Sequence, residues 1–158
     1  MSSCGNCKKR IITTHAPEET RQLGRSLGEK ARPGLVIALT GDLGVGKTVF
    51  AQGFAEGMGV KKVVSSPTFT ILRQYEGEKL PLAHFDAYRL EDETEMEAIG
   101  GDEFLGADGV CLVEWPERIR GLLPPETVWI SIRKEPSLGT DVRIITMEGD
   151  ELHEAPCY

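Results

Sequence analysis

Long apolar runs and a surplus of basic residues are both missing from this sequence. The longest stretch without a charged residue is Val63 to Leu72, ten residues that include a proline and four hydroxyl side chains, whereas a bilayer-spanning helix needs about 20 mostly apolar residues. Asp and Glu number 25 and Lys and Arg 18, which gives a net charge of −7. Proteins that hold nucleic acid by its phosphates present a basic face instead. These absences predict a cytoplasmic protein with no membrane contact and little affinity of its own for nucleic acid.

Cysteine is scarce as well, and its placement does not favour a metal or redox site. Two of the four cysteines, Cys4 and Cys7, form a C-x-x-C pattern near the N-terminus. A zinc site needs two further ligands at matching spacing, and none is evident. A thioredoxin-like pair begins a helix that follows a strand, a context that this segment does not offer. We interpret the pair as incidental.

The elements predicted from the remaining sequence are typical of one α/β domain. The 158 residues, 40% of them hydrophobic, suffice for one core and not for two. A helix is predicted from Pro17 to the segment Arg32-Pro33-Gly34, and the unbroken apolar run Leu35–Leu39 predicts a strand covered on both faces. Glycines and a second helix from Lys47 follow. Further strands are predicted at 10–14, 68–75, 80–85, 110–113, 128–132 and 142–147, and a surface helix at 91–97, which together indicate a mixed sheet flanked by helices.

The most specific pattern is a phosphate-binding loop between the first central strand and the second helix. Gly41 to Thr48 match G-x-x-x-x-G-K-[ST] in full. Glycines let successive backbone N–H groups turn toward an anion, and the helix N-terminus adds partial positive charge. Lys47 should reach the β- and γ-phosphates, and the Thr48 hydroxyl should bind Mg²⁺. We predict that a nucleoside triphosphate is bound by Asp42, Leu43, Gly44, Val45, Gly46, Lys47 and Thr48.

Two acidic residues stand where apolar strands are predicted to end. Asp86 follows Leu82-Ala83-His84-Phe85, and Glu114 follows Val110-Cys111-Leu112-Val113. A triphosphate site needs a carboxylate for Mg²⁺ and a group that orients or deprotonates water. Either acid alone has an ordinary alternative as a helix cap or a solvated strand end.

Other candidates have equally plausible structural roles. His84 alternates with Asp86, so both side chains are predicted on one side of a strand, where His84 is either a partner of the site or a structural histidine. Ser66 and Thr68 flank Pro67 on a rigid turn that suits a switch loop. Trp115 is either a core anchor or an aromatic that faces a partner.

Four segments in this order closely resemble the TsaE family, known earlier as YjeE. They are Gly41–Thr48, Ser66-Pro67-Thr68-Phe69, His84–Leu90 and Val113–Glu117. Members of this family are bacterial ATPases required for threonylcarbamoyl modification of adenosine 37 of tRNA. The resemblance implies a P-loop α/β fold, binding of ATP and Mg²⁺, slow ATP hydrolysis, and work with the TsaB and TsaD proteins. TsaD transfers the group, so tRNA is expected to be met only through the complex.

The resemblance also implies roles for single residues. Lys47 matches the lysine that contacts phosphate and Thr48 the hydroxyl that binds metal. Glu114 matches the acid that binds Mg²⁺, and Asp86 matches an acid needed for hydrolysis, through the position of the water. Trp115 matches a functionally important aromatic. We therefore expect catalysis from Lys47 and Asp86 and metal binding by Thr48 and Glu114.

The predicted organisation is a disordered tail at 1–9, a P-loop ATPase domain at 10–150 and a C-terminal tail at 151–158. Two other functions use the same loop: a small-molecule kinase, and a binding module that is gated by nucleotide without productive hydrolysis. An arginine-rich lid and an acceptor pocket would be typical of a kinase, and the sequence shows neither.

Overall fold

The computed structural model describes residues 9–42, 44–64 and 71–149. Its strands are β1 (Lys9–Thr14), β2 (Val36–Thr40), β3 (Leu72–Glu76), β4 (Pro81–Asp86), β5 (Val110–Glu114), β6 (Val128–Lys134) and β7 (Arg143–Glu148). Its α-helices are α1 (Pro17–Glu29), α2 (Lys47–Gly57) and α3 (Glu93–Ala98), and two 3-10 helices span Gly101–Phe104 and Pro116–Leu122. No helix in the described ranges has the length and apolar character needed to cross a membrane.

The seven strands form one mixed sheet in the order β1-β7-β6-β2-β5-β4-β3. The central pairs β6–β2, β2–β5 and β5–β4 are parallel, and β3, β7 and β1 join antiparallel at the two sides. The predicted α/β fold with a mixed sheet is therefore confirmed. In such sheets ligands bind beyond the carboxyl ends of the parallel strands, and β2, β4 and β5 end together at one edge.

Both faces of the sheet are covered. Alternate residues of β2 and β5 contribute to two core clusters, one with α1 and α2 and the other with α3 and the 3-10 helix at Pro116–Leu122. Ile37 and Leu39 belong to the first cluster, and Val36 belongs to the second. This explains why these strands are continuously apolar in sequence rather than alternating.

Helices α1 and α2 pack closely against each other through glycines on both helices. A Cβ atom at any of these four positions would overlap backbone atoms of the opposite helix: Gly24, Gly28, Gly53 and Gly57. Glycine destabilises a helix interior by about 1 kcal/mol relative to alanine. These glycines offset that cost because they allow the backbones of the two helices to approach closely. The contact fixes α2, whose N-terminus follows the phosphate loop.

Several predicted boundaries were wrong, and two short helices were missed. Helix α1 ends at Glu29 rather than at Arg32-Pro33-Gly34, because the next N–H groups, those of Lys30 and Ala31, bond three residues back instead of four. Strand β4 begins at Pro81, one residue later than predicted, and β6 and β7 each end later than predicted. The 3-10 helices carry no strong helical periodicity in the sequence. Strand β1 starts at Lys9, while 1–8 and 150–158 lie outside the described residues.

Candidate functional site

The phosphate loop joins the end of β2 to the start of α2. Gly46 precedes the helix with φ of 114°, and Gly44 has φ of 75°. Residues with a Cβ atom rarely adopt these values. Gly46, the N-cap residue of α2, has no side chain with which to cap the helix, which leaves the first N–H groups open to an anion. Gly44 and Gly46 therefore adopt conformations that favour glycine, and Leu43 lies outside the described residues.

An arginine at the start of β7, which is two strands from β2 in the sheet, anchors this loop. The Arg143 Nε of β7 donates to the Val45 carbonyl oxygen at 2.7 Å, and Arg143 Nη1 donates to the Thr140 oxygen at 2.9 Å. The Val45 side chain is buried in the core, and the Val45 N–H donates to the Asp42 oxygen at 3.3 Å. Val45 thus holds the loop to the body of the protein. No sequence motif links Arg143 to a loop 98 residues away, so this contact could not be predicted from residue patterns.

Lys47 carries a buried ammonium group without a hydrogen-bond partner. Its residue is 6% exposed, and Nζ makes no hydrogen bond within the described structure. Nζ lies 4.1 Å from the centroid of the Trp115 ring, within cation–π range. Burial lowers the pKa of Lys47, and the carboxylates of Glu114 and Asp86 counteract this. A buried cation of this kind is suited to a multiply charged anion.

The two predicted acids converge beside this lysine. Asp86 and Glu114 are directly paired residues at the ends of the parallel strands β4 and β5. The Asp86 Oδ1 accepts a hydrogen bond from the Tyr88 N–H at 2.9 Å. Burial raises the pKa of Asp86, and the nearby Glu114 carboxylate raises it further, while the Tyr88 N–H lowers it. A raised pKa makes Asp86 a better proton acceptor than an ordinary aspartate.

Glu114 is itself bonded to the histidine of the same strand as Asp86. The His84 Nε2 and Glu114 Oε2 atoms are 2.7 Å apart, and the two side chains are 1% and 5% exposed. His84 Nδ1 is buried with no hydrogen-bond partner among the described residues. Of the two roles left open for His84, the structure thus shows a direct partner of a site residue.

Trp115 is placed in the site by an uncommon backbone conformation. It has φ of 57° and is the one non-glycine residue with a positive φ in the described part of the chain. A bulky side chain in this region costs about 1–3 kcal/mol. Its ring packs against Tyr88 with centroids 5.0 Å apart and covers the Lys47 ammonium. The strained turn at the end of β5 therefore places an aromatic ring over the Lys47 ammonium, and the same ring packs against the second core cluster.

These side chains enclose a cleft of about 490 Å³. It is lined by Gly44, Gly46, Lys47, Thr48, Val49, Asp86, Tyr88, Arg89, Glu114 and Trp115. Most of the predicted site residues thus lie together. Asp42 and Val45 do not line the cleft, and Ser66 and Thr68 lie outside the described residues.

The cleft offers oxygen ligands that suit Mg²⁺, and they are too few to hold a metal through protein side chains alone. Thr48 offers a hydroxyl and Glu114 a carboxylate. No group of three or more His, Cys, Asp or Glu side chains capable of holding a metal occurs in the described ranges. Mg²⁺ in triphosphate sites typically takes one or two protein ligands and completes its shell with phosphates and water.

Comparison with known proteins gives consistent matches over most of the chain. Residues 14–142 match the family described as threonylcarbamoyl adenosine biosynthesis protein TsaE. The tRNA threonylcarbamoyladenosine biosynthesis protein TsaE of Bacillus subtilis (strain 168) is 48% identical over 130 residues, which is 82% of this chain and 79% of that protein. The protein of the same name from Treponema pallidum (strain Nichols) is 40% identical over 120 residues, 76% of this chain and 88% of the relative.

The fold agrees with these sequence matches. A crystal structure of Bacillus subtilis YdiB is similar with a TM-score of 0.77 and 41% identity, over 90% of this chain and 86% of that one. The family match at 14–142 includes strands β2 to β6, the phosphate loop and both acidic strand ends, and the chain belongs to the TsaE family.

Proposed function

We propose that this protein binds ATP with Mg²⁺ and hydrolyses it in support of threonylcarbamoyladenosine formation on tRNA. The observation that carries the proposal is the buried ammonium of Lys47, which has no hydrogen-bond partner among the described residues and lies at a glycine loop beside two converging carboxylates. The names of the relatives, which are tRNA threonylcarbamoyladenosine biosynthesis proteins, supply the process.

The residues of the cleft have different roles in the proposed hydrolysis. The loop amides and the Lys47 ammonium neutralise the phosphate oxygens, and these groups stabilise the charge of the in-line transition state. Thr48 and Glu114 would hold Mg²⁺, which supplies further positive charge at the phosphates. Asp86 accepts a hydrogen bond from the attacking water and orients it, and its raised pKa favours proton uptake.

The chain is proposed to act with the TsaB and TsaD proteins rather than to transfer the threonylcarbamoyl group itself. Its net charge of −7 supports a role in which tRNA is reached only through the complex. We place this activity in the cytoplasm, in a domain of residues 10–150, with Trp115, Ser66 and Thr68 as candidates for partner or switch contacts.

The direct test measures the products that the purified chain forms from ATP. With Mg²⁺, we expect ADP and inorganic phosphate in equal amounts. Lys47→Ala should weaken nucleotide binding and abolish phosphate release. Phosphate found on an added nucleoside or other acceptor would identify a kinase instead. If nucleotide binds and Asp86→Asn leaves ATP affinity and function nearly unchanged, the chain is a binding module that is gated by nucleotide without productive hydrolysis.

A reconstitution tests the biological role. The chain is mixed with TsaB, TsaD, tRNA and the threonylcarbamoyl donor, and modified tRNA is counted per complex. We expect several turnovers with the chain and ATP, and markedly fewer without either. Equal yields with and without the chain would refute the proposed role. Strong, salt-sensitive tRNA binding by the isolated chain would refute the indirect contact.

A further inference from the structure

Within the part of the chain that the structure describes, His84 is the one buried titratable side chain that bonds to a site residue and has no part in the proposed chemistry. It lies on β4 two residues before Asp86, and its ring reaches across to the end of β5, where Nε2 is 2.7 Å from Glu114 Oε2. The two side chains are 1% and 5% exposed. Water therefore has little access to the two side chains and cannot readily replace the hydrogen bond between them.

The hydrogen bond engages one of the two oxygens of the Glu114 carboxylate. A carboxylate at a strand end can otherwise rotate about its side-chain torsions, and each rotamer presents a different oxygen to the cleft. With Oε2 held by the imidazole, Oε1 is the oxygen left for an incoming ligand. Groups that orient a metal-binding side chain in this way typically change metal affinity by about 10–100-fold when they are removed.

We propose that His84 is a positioning residue, which holds the Glu114 carboxylate through an Nε2–H donor in the orientation that binds Mg²⁺. The inference rests on the proposed function, because it assumes that Glu114 is a metal ligand. It assigns His84 no contact with nucleotide, since the ring is absent from the lining of the cleft.

The test uses two amide replacements that differ only in reach. In His84→Gln the amide nitrogen reaches the place of Nε2 and can still donate to Glu114, whereas in His84→Asn it reaches only the place of Nδ1. His15→Gln is the matched control, because His15 is exposed and bonds to Glu19 at the start of α1. Calorimetry measures the affinity for a non-hydrolysable ATP analogue with and without Mg²⁺, and the ratio of these two affinities reports metal binding.

We expect His84→Gln and His15→Gln to keep this ratio within about threefold. His84→Asn should lower it by about 10-fold or more, with unchanged affinity for the metal-free analogue. An unchanged ratio in His84→Asn would overturn the inference. So would an equal loss of affinity with and without Mg²⁺ in both amide variants, accompanied by a lower melting temperature, because a merely structural histidine would behave in that way.

Failure of the proposed function has a different signature. If the wild-type chain binds the analogue equally well with and without Mg²⁺, or if Glu114→Gln retains the full ratio, then the metal assignment itself is wrong and the inference is overturned with it. If His84→Asn does not fold, nitrogen-15 NMR of the wild-type imidazole decides. We expect hydrogen on Nε2 in the nucleotide complex, and a bare Nε2 would refute the proposal.

Discussion

Replacement of Arg143 by methionine should weaken nucleotide binding although Arg143 does not line the cleft. Its guanidinium bonds the Val45 carbonyl at 2.7 Å and, nearer its own strand, the carbonyls of Thr140 and Val142 at 2.9 and 3.0 Å. Arg143→Met keeps most of the aliphatic stem but leaves these oxygens without their charged donor. The contact that matters for function is the one with Val45, because it holds the phosphate loop.

The size of the effect follows from this single bond. A hydrogen bond with one charged partner contributes about 1.5–3 kcal/mol. Arg143 is only half-buried, so water can replace part of the interaction and the lower end applies. If the binding conformation of the loop loses about 1.5 kcal/mol of stabilisation, the dissociation constant for nucleotide rises roughly tenfold.

Arg133→Met provides the control for the loss of a positive charge. Arg133 lies on the neighbouring strand β6, is exposed, and bonds the Glu135 carboxylate rather than the loop. Calorimetric titration with an ATP analogue should give wild-type affinity for Arg133→Met and about tenfold weaker binding for Arg143→Met. Equal affinities in the two variants would refute the role of Arg143 in loop order.

Three further predictions concern packing, pH and the aromatic ring. Gly53→Ala should lower stability by about 2 kcal/mol in urea unfolding, because overlap with the backbone of α1 outweighs the gain in helix propensity of about 1 kcal/mol; a variant as stable as wild type would show that α1 and α2 can separate freely. Asp86→Asn should abolish phosphate release and yet raise the melting temperature at pH 7. Burial raises the pKa of Asp86, so its ionised form destabilises the folded chain; this penalty is absent below about pH 4, the ordinary pKa, and grows as pH rises through the folded pKa. The gain should therefore vanish when melting is repeated near pH 3.5, and a loss of stability at both pH values would contradict the cause. Phosphates compete with the Trp115 ring for the Lys47 ammonium, so an ATP analogue should change Trp115 fluorescence in a Trp129→Phe chain; an unchanged spectrum at saturation would count against that contact.

The parts of the site that depend on local sequence could be predicted. The phosphate loop requires glycines and a following helix within eight residues, and its backbone is set by those neighbours. Asp86 and Glu114 could each be identified as an acid at the end of an apolar strand, in a chain whose phosphate loop requires such groups. The structure shows them as direct partners.

The glycines of the α1–α2 contact illustrate what local rules miss. Gly24 and Gly28 lower the helix propensity of α1, so propensity alone argues against them. Their role in close helix packing is visible only in the folded structure, where Gly53 and Gly57 of α2 lie against the backbone of α1. The same limit explains the boundary errors, since the last turn of a helix is decided by hydrogen bonds that propensity does not resolve.

The sequence by itself determined the fold class, the phosphate loop, the two acidic strand ends and the family. Only the tertiary structure decided that Arg143 anchors the loop, that His84 bonds Glu114, and that the ring of Trp115 covers Lys47. The first set depends on short-range backbone geometry and on strand order, which residue patterns encode. The second set joins residues as many as 98 positions apart, and such contacts exist only because the folded sheet brings distant side chains within hydrogen-bond distance.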